Sequence, residues 1–204
     1  ERTRLRKLCE AFLAEKEFTS AGGLELTDVM CVSIAVQGCL PILNIGLENY
    51  RDWIGVIVYP DEFIIPRSVE DEFGVVHEYN DVASGEAWEG GPLLISWRDA
   101  QMAGEGYNVV IHEFAHKLDM LDGAMNGMPR LPAGLSRREW IGAMQPAYDG
   151  LVRAVERGRE TLIDPYAAES VDEYFAVTSE LHFSDPDALR RAAPAVADVL
   201  ARYY

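Results

Sequence analysis

No stretch of this sequence approaches the run of about 20 apolar residues that a helix needs to cross a bilayer. The N-terminal ERTRLRKLCEAFLAEKEF is charged and helix-patterned. It lacks the apolar core and small-residue cleavage site of a signal peptide. The chain begins without Met, which leaves room for an upstream segment. Basic residues are scarce: 18 Lys and Arg stand against 34 Asp and Glu, a formal charge of −16. Such a surface repels phosphate backbones and argues against direct nucleic-acid binding. Cysteine is scarce too. Cys31 and Cys39 fall on one predicted helix, roughly 12 Å apart and beyond disulfide reach, and Cys9 has no partner at a paired spacing. An odd count without paired spacing predicts free thiols and a reducing compartment, the cytoplasm. Glycine patterns for a phosphate loop or dinucleotide fold are missing, as are Ser and Cys nucleophile signatures.

What is present suffices for a sizeable core: 204 residues, 49% of them apolar, in a length that suits a single domain. Residues 4–18 read as a helix. After Gly22-Gly23, Thr27 or Asp28 caps a second one that runs to about Leu40 before Pro41. The N-terminal helical part thus covers about 1–50. Between about 53 and 98 the chain turns β-branched and aromatic, in WIGVIVYP (53–60), EFIIPR (62–67), VVHEY (75–79) and PLLISW (92–97). Turn signals such as Glu-Phe-Gly, Ser-Gly and Gly-Gly separate them, predicting a small twisted, mostly antiparallel sheet. Helical patterns return over about 107–121, 136–156, 170–183 and 186–202, so that 136–204 forms a C-terminal helical part. The layout is α+β.

The stretch VVIHEFAHKLDML (109–121) carries chemistry. On a helix, Val110, Phe114, Leu118 and Leu121 make an apolar stripe, and His112 and His116 stand one above the other on nearly the opposite side. Two imidazoles one turn apart can reach one zinc ion, and Glu113 between them is placed to take a proton from water. A catalytic zinc site needs a third protein ligand. The candidate segment is DPYAAESVDEYFAVTSELHFSDP (164–186), where Glu169, Glu173 and Glu180 share a helix face. The residues leave two readings of Glu173. It can supply the ligand, or it can close a capping box with Ser170 and bond backbone. Asp119, on the face of the histidines, can orient an imidazole or serve as a surface or helix-end residue.

The segments GGLELTD (22–28), VIVYP (56–60), GYNVVIHEFAHKLDMLDG (106–123) and DPYAAESVDEYFAV (164–177) make the chain resemble, over its whole length, the Mlc titration factor A family of bacterial zinc metallopeptidases. That family looks like a gluzincin with a zincin-like fold, similar in its site to the anthrax lethal factor protease domain. That domain has a tyrosine seven residues before its glutamate ligand, the separation between Tyr166 and Glu173 here. The resemblance implies one Zn2+ per chain, held by His112, His116 and Glu173, with Glu113 as general base and Tyr166 as an active-site hydroxyl donor. Lethal factor has a further glutamate four residues after its ligand. Here that position is Val177, and Glu180, one turn on, can take its place beside the ligands.

The resemblance implies peptide hydrolysis, aminopeptidase-like on short peptides, together with regulatory binding to the glucose repressor Mlc. The alternative is a non-catalytic module that sequesters a transcriptional repressor, although binding alone would not need Glu113. A structural zinc site is disfavoured, because no Cys lies near the motif to close a four-ligand shell. A peptide substrate is expected along a sheet edge, with PLLISW (92–97) the candidate edge strand and a buried core strand its other reading. The loop 123–134 borders the cleft, with Asn126-Gly127 giving mobility. His77 is expected off the site and His182 pointing away from it. Trp53, Trp88, Trp97 and Trp140 read as core or cleft-wall aromatics.

Overall fold

The computed structural model describes every residue except 71–73, 75 and 105. Helix α1 (Arg2–Glu15) is followed at once by β1 (Glu17–Ser20), and α2 (Asp28–Cys39) starts where Thr27 caps it by accepting from Met30 N–H. The expected first helix ran on to residue 18. Instead Lys16 leaves the helix in extended conformation, and its buried ammonium group donates to the carbonyls of Tyr50 and Trp53. That anchor turns the chain into the sheet, where Glu17 to Ser20 pair with Gly55 to Val58.

Strands β2 (Gly55–Tyr59), β5 (Gly85–Ala87) and β6 (Leu93–Ser96) complete a four-stranded sheet of order β1-β2-β6-β5. Its first two pairings are parallel and only β5 against β6 is antiparallel, so the main sheet is mixed rather than mostly antiparallel. The long connections explain this: α2 separates β1 from β2, and a ribbon separates β2 from β6, lengths that permit a parallel return. All four residues of β6 are buried, as an interior strand of parallel type requires. The edge-strand expectation for 92–97 is therefore corrected. On this side of the sheet the edge strand is β5, whose Ser84-Gly85 had read as a turn.

The ribbon pairs β3 (Phe63–Glu70) with β4 (Val76–Ala83), antiparallel throughout. Phe63 and Ile65 cover Leu94 on one face of the sheet, with Tyr59 stacked on Phe63. Strand β4 overlaps the expected strand 75–79 from Val76 and runs past its end to Ala83. Val75 of that expectation, and Glu72 and Phe73 of the turn before it, lie outside the described residues.

The other sheet face carries the main core. A short helix α3 (Trp97–Ala100) leads to α4 (Val109–Asp119), which is buried along nearly its whole length. Phe114 of α4 sits among Phe12, Tyr50 and Trp53 at centroid distances of 5.7, 5.1 and 5.7 Å. Gly38 of α2 lets the helices approach, since a Cβ there would collide with the Phe114 ring. Helix α5 (Arg137–Glu156) begins with a full Ser136/Glu139 capping box. It packs with α6 (Val171–Ser184), α7 (Pro186–Ala192) and α8 (Pro194–Tyr203). The expected single helix 186–202 is two, because Pro194 cannot donate its backbone nitrogen to continue the first. Trp53 and Trp140 are core residues, whereas Trp88 is exposed on the β5–β6 turn.

Candidate metal centre

Helix α4 is fixed at its start from two directions. The Asn108 side chain accepts from Ile111 N–H at 2.9 Å, and Glu180 of α6 accepts from Asn108 N–H at 2.5 Å. Its far end is tied to the β5–β6 turn, where the buried Lys117 ammonium donates to Trp88 O at 2.6 Å and Gly91 O at 2.9 Å and lies 5.1 Å from the Trp53 ring centre. Between these anchors His112 and His116 turn their Nε2 atoms towards each other, 3.1 Å apart.

The Glu173 carboxylate closes the triangle. Its Oε2 lies 3.0 Å from His112 Nε2 and 3.6 Å from His116 Nε2. The two readings of Glu173 resolve: Ser170 Oγ accepts from Glu173 N–H at 3.3 Å, so the serine caps α6, but the glutamate side chain goes to the histidines. A tetrahedral zinc ion with bonds of about 2.0–2.1 Å spaces its ligand atoms by about 3.3 Å. The three separations bracket that value. Glu173 Oε2 is buried and makes no directed hydrogen bond, and it faces two imidazole Nε2 atoms. The donor set fits a metal cation.

The electrostatics say the same. Burial opposes charge on His112, yet contact with Glu173 and Glu180 outweighs it and lifts the pKa well above the usual imidazole value. Burial likewise opposes charge on Glu173, and the two histidines overcome it, holding the carboxyl far below its usual range. The site is built around positive charge.

Glu180 is the partner of His112. Its Oε1 lies 2.8 Å from His112 Nδ1, fixing the tautomer that leaves Nε2 free for a metal. Tyr166 reaches the cluster from the other side, donating its hydroxyl to Glu173 Oε1 at 3.1 Å. Burial and the neighbouring Glu173 raise its pKa, so the hydroxyl keeps its proton. Glu113 is 5% exposed, and burial raises its pKa against the pull of both histidines. Glu113, His112, His116, Tyr166, Glu173 and Glu180 all line one cleft of about 890 Å³. Edge strand β5 borders it, as do Arg67 and Asp81 of the ribbon, with Arg67 donating to Glu86 at 2.7 Å.

Asp119 ends α4 but is no surface residue, and no hydrogen bond joins it to an imidazole. It is fully buried and accepts from Asn126 N–H at 2.9 Å and Gly127 N–H at 2.8 Å. Trp140 Nε1 donates to Gly127 O, and Gly127 sits at φ 69° against the Val171 carbonyl. The loop does border the cleft, through Met125, but Asn126-Gly127 is pinned rather than free. His77 lies exposed on β4, away from the cluster, and His182 packs against Tyr204 and Phe183. No local pattern announces the contact between Glu113 and Gly85. Its only trace was a glycine in a segment read as a turn.

The chain matches the family model for glucose-regulated metallo-peptidase M90 over residues 1–204. It is 35% identical over 212 residues to the Mlc titration factor A of Escherichia fergusonii, covering all of this chain and 78% of that protein. The corresponding protein of Salmonella arizonae is 36% identical over 213 residues, covering all of this chain and 83% of its own length. An uncharacterized protein of Synechocystis sp. is 34% identical over 209 residues, with 76% of its length covered.

Proposed function

Because the chain belongs to the glucose-regulated metallo-peptidase M90 family, we propose that it is a zinc-dependent peptidase of zincin type, acting on short peptides as an aminopeptidase. The convergence of His112 Nε2, His116 Nε2 and Glu173 Oε2 beside a buried glutamate in an open cleft carries this reading. Those three residues would hold the zinc ion. Bound there, it would make water acidic and polarise a peptide carbonyl.

The chain's own groups do the rest. Glu113 takes the proton of the attacking water and returns it to the leaving amine. Its burial supports this, since a carboxylate poised above its usual pKa is the better base. The Tyr166 hydroxyl donates to the developing oxyanion. Glu180 holds His112 in the tautomer the site needs. The substrate main chain adds to β5. Ser96 N–H donates to Ser84 O and Trp88 N–H to Pro92 O, so alternation along the antiparallel pair leaves the amide groups of Gly85 and Ala87 facing the open edge.

The test is hydrolysis of short peptides, free and blocked at the N-terminus, by zinc-loaded wild type beside zinc-loaded Glu113→Gln. Turnover is expected only in the wild type and only on free N-termini. Equal turnover in both proteins would remove Glu113 from the chemistry. Cleavage of blocked peptides would remove the aminopeptidase assignment.

The relatives' name, Mlc titration factor A, supports a second role beside the first: binding of a transcriptional repressor of the Mlc type. Binding that survives in Glu113→Gln would separate this role from cleavage. A protein that binds a repressor and never hydrolyses a peptide would be the non-catalytic module instead. Either role fits the cytoplasm, as do three free thiols.

A further inference from the structure

Gly85 lies directly on Glu113. A Cβ built on its backbone would stand 2.6 Å from both Cγ and Oε1 of the glutamate and 2.8 Å from Cδ. Carbon atoms in ordinary contact sit about 3.5–4.0 Å apart. Glycine here is not demanded by the backbone: Gly85 is not among the glycines with left-handed φ, and its strand conformation suits any residue. Only space forbids a side chain. The glutamate is 5% exposed and rises from a helix buried along its length, so its carboxylate can give way only towards the cleft it lines.

The neighbouring contacts fix how β5 and α4 meet. Lys117, four residues along α4 from Glu113, grips Trp88 O and Gly91 O in the turn that follows β5. Ser84, at the other end of β5, accepts from Ser96 N–H at 2.7 Å. The turn after Gly85 is therefore held to the helix and the residue before it to β6, and its bare Cα forms one wall of the pocket in which the Glu113 carboxylate rests.

We propose that Gly85 is a positioning residue for Glu113, its missing side chain setting where the carboxylate stands relative to the three ligand residues and to a main chain bound along β5. This rests on the peptidase reading for its consequence in catalysis, but the contact itself does not. The three atoms nearest a Cβ at position 85 all belong to Glu113, so alanine there presses on the base before any ligand residue.

The test is Gly85→Ala, read in two ways. Zinc-loaded Gly85→Ala is expected to bind one equivalent of zinc and to keep KM within about twofold, while kcat falls on the order of 100-fold, the contribution of a well-placed general base. Independently of turnover, melting temperatures of the metal-free protein are measured for Gly85→Ala, Glu113→Ala and the pair. The glycine substitution is expected to lower the melting temperature in the wild-type background and to cost little once Glu113 is alanine, because the colliding atoms are gone. Equal losses in both backgrounds, or an undiminished kcat, would overturn the proposal. Should Gly85→Ala fail to fold alone, folding of the pair supports the contact and failure of the pair overturns it. A wild type inert towards every peptide, with the melting cycle still non-additive, would sink the peptidase reading and leave the seat standing.

Discussion

Replacing Glu180 by Gln isolates the contribution of a residue that touches no metal. Both neighbours of the carboxylate are donors: Asn108 N–H at 2.5 Å and His112 Nδ1–H at 2.8 Å. A glutamine can offer its oxygen to only one of them. Its NH2 group must then face the other donor, leaving a buried group unsatisfied at a cost of about 1–3 kcal/mol. If the amide oxygen stays on the helix start, His112 loses its orienting partner. If it stays on His112, α4 loses the acceptor for its first backbone amide. Either way the histidine is less well held, and loss of such a partner weakens metal binding about 10–100-fold, or about 1.4–2.8 kcal/mol. The two estimates agree. The assay is competition for zinc against a chromophoric chelator, with Glu169→Gln as control, since Glu169 lines the same cleft without contacting either histidine. Zinc affinity indistinguishable from wild type would refute the idea that Glu180 fixes the His112 tautomer.

Four further outcomes are expected. Tyr166→Phe should keep zinc and lose kcat by roughly 100-fold, as removal of an oxyanion donor does; a kcat within about threefold of wild type would take Tyr166 out of the reaction. Lys117→Met leaves Trp88 O and Gly91 O without their donor, and chemical denaturation should show a loss of about 2–4 kcal/mol. Gly127→Ala places a side chain against the Val171 carbonyl at left-handed φ, so the melting temperature should fall more than for Gly134→Ala, where the φ is also positive but the space is open. Burial raises Asp119 from 3.8 to about 6. Its protonated form is therefore favoured by folding, an advantage complete below about pH 4 and lost as pH rises through about 6, worth at most about 3 kcal/mol. Denaturation of metal-free Asp119→Asn across that window should show a flatter pH profile than wild type, and an identical slope would contradict the assignment.

The helical half of the fold was legible because its signals are local. Thr27 and Ser170 are caps in the sequence and caps in the structure, and the histidine pair needed only the helix period. The sheet was less legible, because parallel pairing is decided by what lies between strands and not by the strands. Three-residue β5 has no period to read, and its glycine looks like a turn until Glu113 is seen against it. Asp119 was misread for a related reason. A helix wheel places it with the histidines, but its partners, Asn126 and Gly127, reach it only after the loop has closed.

Glu173 and Glu180 show how one helix serves two purposes at fixed spacing. Their contacts with α4 run in opposite order along the two helices: Glu173 meets His116 and His112, and Glu180 meets His112 and Asn108. The helices are thus antiparallel, and seven residues of α6 must match about two turns of α4. Seven residues bring a side chain back to within about 20° of its starting direction and move it roughly 10.5 Å along the axis. A carboxylate four residues after Glu173 would share the face but stop about one turn short, beside the ligands and not at the start of α4. That position is Val177, buried and lining the cleft. Placing the acid at 180 instead lets one carboxylate orient His112 and also hold the first amide of the helix that carries both histidines. Metal affinity and the register of α4 are then coupled through a single side chain. That is why Glu180→Gln should weaken zinc binding even if His112 itself finds another acceptor.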